Sequence, residues 1–105
     1  MTKVKINAGV CGHITNVSAD DTGDEIHITI DSDCGVISKM YEELGADFDG
    51  YEVCLTPPGT GPFYTYAASC FPPHCACPVI AGITKCIEAE SGLALKCNAA
   101  IEFID

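Results

Sequence analysis

The stretch Ile26-His27-Ile28-Thr29-Ile30-Asp31-Ser32-Asp33-Cys34-Gly35-Val36-Ile37-Ser38-Lys39-Met40-Tyr41-Glu42-Glu43-Leu44-Gly45 decides the fold. Its apolar period changes within a few residues. Ile26, Ile28 and Ile30 alternate with His27, Thr29 and Asp31, the pattern of a strand with one face buried. Past Ser32 and Asp33, both good helix N-caps, Val36, Ile37, Met40, Tyr41 and Leu44 recur at helical spacing. Gly45 supplies the stop. A strand therefore passes into an amphipathic helix across Cys34.

Upstream, Val4, Ile6 and Ala8 alternate with polar residues, and residues 13–19 are β-branched. The cluster Asp20-Asp21-Thr22-Gly23-Asp24 is a turn, so residues 3–31 form an antiparallel hairpin or meander. Downstream, Ala46 to Gly50 reads as a polar connection and Glu52 to Leu55 as a short strand. Residues 56–62, rich in Pro and Gly, read as irregular. Phe63 to Ala68 fits either a helical turn or a strand. Pro72-Pro73 enforces extended chain. Pro78 then opens a helix whose apolar face is Val79, Ile80, Ile83 and Ile87, closed by Gly92. Leu95, Cys97, Ala99, Ile101 and Phe103 alternate again and predict a closing strand over 94–104.

The expectation is one α+β domain, residues 1–105: an antiparallel sheet of about four strands with two main helices packed on one face. The strands fall near 3–8, 13–19, 25–31 and 94–104, and the helices near 35–44 and 79–91.

Acidic residues number 15 against 5 basic ones, for a net charge of −10. Phosphate backbones and anionic membranes need clustered Lys and Arg, so this balance excludes nucleic acid and membrane as partners. A metal or a basic protein surface suits it. No apolar run approaches a membrane span, and Met1 to Ile6 lacks the apolar core of a signal peptide. These features predict a cytoplasmic protein with reduced thiols. The 8 cysteines then read as metal-binding or redox-active.

Small buried hydrophobe is the default for a free cysteine. It suits Cys97 on the inward parity of the last strand, Cys86 beside Ile83 and Ile87, and Cys54 between Val53 and Leu55. Cys70 carries no assignment. Cys11, Cys34, Cys75 and Cys77 differ, since each sits at a junction beside glycine or ahead of a helix. There backbone N–H groups favour a thiolate, the form that ligates metal. His13 and His74 are candidate imidazole ligands. His27 lies on a polar strand face. Asp31 and Asp33 read as solvated or capping, and Phe63, Tyr64 and Tyr66 as core or loop cover.

At these residues the chain resembles the IscU/NifU-type iron–sulfur cluster scaffolds. Cys11-Gly12-His13 is similar to that family's Cys-Gly-Asp between early strands. Asp33-Cys34-Gly35, before a helix, is similar to its second cysteine element. Phe71-Pro72-Pro73-His74-Cys75, before a later helix, is similar to its His-Cys element. The resemblance spans Gly9 to Gly92 and implies an IscU/NifU-like fold and a role in cluster binding, assembly or transfer. His13 stands where that family has aspartate, His74-Cys75 where it has Val-Lys after Pro-Pro, and Cys77 is additional. No stretch matches the family's N-terminal helix. The string as a whole is also similar to small Cys-rich proteins of anaerobic microbes.

The residues thus point to a binding module in which Cys11, Cys34, Cys75 and either Cys77 or His74 share zinc or an iron–sulfur cluster. Two rivals stand beside it. One is thiol redox or persulfide chemistry at Cys75 and Cys77. The other is a structural domain that binds a partner through its Pro/Gly loop.

Overall fold

Alternating β-branched residues build the sheet. In the computed structural model, which describes residues 1–105, β1 spans Thr2–Asn7, β2 Ile14–Asp21 and β3 Ile26–Ser32. All pairings are antiparallel, with Ile6 opposite Thr15 and Ala19 opposite Ile28. Ile6, Val17, Ala19, Ile26, Ile28 and Ile30 turn to one face and are buried. Thr15 is buried with them, and its hydroxyl meets that of Ser32 at 2.8 Å, so the polar atom keeps a partner.

The helix α1 spans Gly35–Leu44 and buries Ile37 and Met40. It ends at Gly45, whose φ of 84° lets its N–H return to the Tyr41 carbonyl. A two-residue strand β4, Asp47–Phe48, then pairs with β3 and completes the order β1-β2-β3-β4. Three more helices follow: α2 over Gly50–Cys54, α3 over Gly61–Cys70 and α4 over Val79–Glu90. The Asp49 carboxylate caps α2 by accepting from the Tyr51 N–H at 2.9 Å. Strand and helix side chains close one core cluster of 16 buried residues. The fold is α+β.

The meander, α1 and α4 fall where the pattern puts them. The middle and the C-terminus depart from it. Residues 46–50 hold β4 and the start of α2, and Glu52 to Cys54 is helical rather than a strand. Gly61 and Pro62 open α3, where the missing proline N–H costs nothing because first-turn donors lack intrahelical partners anyway. Phe63 is buried and its ring lies 4.7 Å from that of Phe48, so tertiary packing selects helix there.

The predicted closing strand is overturned. Residues 94–104 form no strand and are exposed throughout. A period-two pattern makes a strand only where an edge supplies the ladder and a core receives the apolar face. The place beside β3 is taken by β4. Cys97 is accordingly exposed and not a core residue. Cys97→Ala should leave stability within about 0.5 kcal/mol of the parent, as for surface sites generally. A denaturant midpoint checks this, and a larger loss would put the thiol back in a packed environment.

Candidate functional site

Antiparallel pairing brings the end of β1, the start of β2 and the end of β3 to one end of the sheet. Cys11 lies there, exposed, in the β1–β2 loop. That loop closes by Ala8 N–H to His13 O at 3.2 Å and Gly12 N–H to Gly9 O at 2.9 Å. Gly9 and Gly12 have φ of 94° and 75°, which residues with a side chain rarely adopt.

Cys34 stands at the same end, where β3 passes into α1. It is the N-cap of α1, and its own N–H donates to the Ser32 hydroxyl at 3.1 Å. Asp33 does not cap the helix. Its carboxylate instead accepts from the Ile14 N–H at 3.1 Å and meets His13 Nδ1 at 2.9 Å. The Asp33 N–H returns to the Ile14 carbonyl at 3.4 Å. One aspartate thus ties the Cys11 loop to the Cys34 junction.

The helix α4 runs antiparallel to β1. Near its start, a Cβ on Gly82 would run into Ile6 Cδ1, so this helix lies tight against the end of β1. Midway, the Cys86 thiol donates to the Thr2 carbonyl at 3.4 Å. At its far end Glu90 accepts from Thr2 and from Asp21 N–H. The α4 N-terminus, with Cys77 just ahead of it, is therefore at the Cys11 and Cys34 end. Cys34 and Cys77 are half-buried against the core, while Cys75 and His74 are exposed. Cys75 and Cys77 do not sit in the first turn of α4, which opens at Val79 after Pro78. They occupy the preceding turn, where the Cys77 N–H donates to the His74 carbonyl at 3.4 Å. No three His, Cys, Asp or Glu side chains are gathered closely enough to hold a metal ion.

The remaining thiols are set apart by burial. Cys86 is fully buried, as its place on the apolar stripe predicts; burial pushes its pKa up, and the Glu90 carboxylate adds to that. Cys54 is half-buried, donates to the Thr84 carbonyl at 3.7 Å, and is pushed up to about 11 by burial and then by Glu88. Both are held as thiols, poor ligands and poor nucleophiles. Cys70 ends α3, exposed, on the rim of an open groove of about 800 Å³ lined by Leu44, Pro57 and Tyr66 among others.

A family model covers residues 2–103 of this sequence. The chain belongs to DUF6951, a family of unknown function. No curated protein and no solved structure matches it. No helix is long and apolar enough to cross a membrane.

A second histidine–carboxylate pair joins β3 to β4. His27 Nδ1 meets Asp47 Oδ1 at 2.9 Å across the β3–β4 ladder. Nothing in the linear order brings Asp33 to His13 or Asp47 to His27, each pair being 20 residues apart.

Proposed function

We propose that this protein is a metal or iron–sulfur cluster binding module, with its site at the sheet end that carries Cys11, Cys34, Cys75 and Cys77. The observation that carries the reading is the Asp33 bridge. A carboxylate on Nδ1 holds an imidazole in one orientation and tautomer and leaves Nε2 for a ligand, the usual outer support of a metal-bound histidine. His13 then joins the thiolates as a candidate ligand, in place of or beside His74. The donor set, soft sulfur with imidazole, suits zinc or an iron–sulfur cluster and suits calcium or magnesium poorly. The bound group would supply a compact positive charge or an electron-accepting centre. The residues here would hold it, and Gly9 and Gly12 would let the backbone come close. Such binding couples to ordering of the ligand loops, so backbone ends placed by the fold suffice for a site that the ion itself draws together. Eight unpaired thiols suit a reducing, cytoplasmic setting. The net charge of −10 suits a basic protein partner.

The test is metal and acid-labile sulfide analysis of the full chain purified without oxygen. About one ion or one cluster per chain is expected. Cys34→Ser and Cys11→Ser should each lose most of it, while Cys86→Ala and Cys97→Ala keep it. Folded protein with neither metal nor sulfide would end this reading.

The exposure of Cys75 and its place two residues from Cys77 in one turn favour a second reading, thiol redox or persulfide chemistry at that pair. Metal-free protein in which Cys75 alone reacts fast with an alkylating agent would favour it.

A further inference from the structure

The tail beyond α4 has the pattern of a strand and pairs with no strand of its own chain. Leu95, Ile101, Phe103 and Ile104 are 91, 92, 94 and 94% exposed. A run of eleven residues, 94–104, is long enough for a strand of ordinary length. The sheet also has an unused edge. The strand order leaves β1 with β2 on one side only. The Ala8 N–H donates to His13 O, so alternation along the ladder turns the amides of Val4 and Ile6 toward β2 and those of Lys3 and Lys5 outward.

Gly82 touches Ile6 of β1, and Ala89, two turns on, shares its side of the helix. The opposite flank carries Thr84, which accepts from Cys54 of α2. A strand laid along β1 would turn its apolar face to the side of the sheet that α4 covers. On the other sheet face, Lys3 and Lys5 are exposed. They repel a second β1, the usual guard on an open edge. The tail brings Glu102 on its polar parity and Asp105 at its end.

We propose that residues 94–104 of one chain add as a strand to the β1 edge of a second copy, and reciprocally, giving a strand-exchanged dimer. The chain's own edge is the poorer host. Glu90 binds Thr2, so the tail leaves α4 beside the start of β1 and could follow it only in parallel, the less stable pairing. Gly92, with φ of 74°, and the bond from Leu93 N–H to Glu88 O at 2.9 Å close the helix, and the tail beyond stays unpaired. A partner's tail has no such tether and can pair antiparallel. Covering both tails removes on the order of 1,000 Å² of surface, enough for a specific interface. Exchange of an end segment is a low-cost route to a dimer.

The test is the solution mass of the full chain, under reducing conditions so that no Cys97 disulfide contributes. Native mass spectrometry and light scattering should give twice the 11.0 kDa chain mass. A chain ending at Leu93 loses no buried residue and should be a folded monomer. Lys5→Pro removes one outward N–H and spares the β1–β2 ladder, so it should also be monomeric with unchanged circular dichroism. Should proline disturb β1, Lys5→Glu, which sets a carboxylate against Glu102, should weaken the dimer at least tenfold. A full chain that stays monomeric at all concentrations overturns the proposal. So does a dimer that survives truncation or survives both Lys5 variants, and so does a monomer whose tail amides are protected from hydrogen exchange.

Discussion

Ile28→Ala should lower the unfolding free energy by about 2–5 kcal/mol, the range for truncating a buried aliphatic side chain. Ile28 is 0% exposed. It sits mid-strand in β3, opposite Ala19 of β2, with its N–H donating to the Ala46 carbonyl at 2.7 Å and its carbonyl accepting from the Tyr41 hydroxyl at 3.1 Å. Those backbone bonds pin the strand, so the neighbours cannot close on the space the side chain leaves, and the cavity cost adds to the lost transfer energy. For a domain of this size the midpoint of melting should fall by about 10–25 °C. Urea unfolding checks it. A shift in midpoint at unchanged slope is expected, and a loss under about 1 kcal/mol would mean that the space under α1 collapses freely.

Glu90→Ala should cost about 1.5–3 kcal/mol at neutral pH, the weight of hydrogen bonds to a charged acceptor. The Glu90 side chain is only 13% exposed. It accepts from the Asp21 N–H at 2.9 Å and from the Thr2 hydroxyl at 2.8 Å, and so holds the last turn of α4 to both strands of the first hairpin. The Asp21 N–H first, and then the Thr2 hydroxyl, pull its pKa below the ordinary 4.5. A carboxyl depressed in the folded state stabilises fully above its unfolded value and loses that contribution as pH falls through the folded value. The gap between parent and Glu90→Ala should therefore be flat above about pH 5.5 and close progressively below about pH 4.5. Unfolding curves at a series of pH values measure it. A gap independent of pH would assign the loss to packing of the side chain stem.

The linear order shows the two effects to different degrees. Ile28 is legible as core from its alternation with His27 and Thr29. Glu90 reads as one more polar residue on the last turn of a helix, since its partners lie 88 and 69 residues away. The same division runs through the candidate site. Cys11, Cys34, Cys75 and Cys77 stand out because glycine, proline or a change of period marks each as a junction. The bridge from Asp33 to His13 does not, because Asp33 is as good a helix cap as any residue in the chain. It is withdrawn from capping only because the start of β2 comes alongside it.

By itself the sequence determined the β-meander, the spans of α1 and α4, and the burial of Cys86, because in each an apolar period matches one backbone geometry over a full element. Tertiary structure alone decided the rest. Residues 50–54 and 61–70 are helical because Phe63 and Val53 find a core there. Residues 94–104 carry a strand's alternation without becoming one in their own chain, because alternation specifies which face would be buried and not how the end of α4 sets the segment against the β1 edge. Whether Asp33 caps a helix or holds a histidine is likewise settled by what the fold sets next to it.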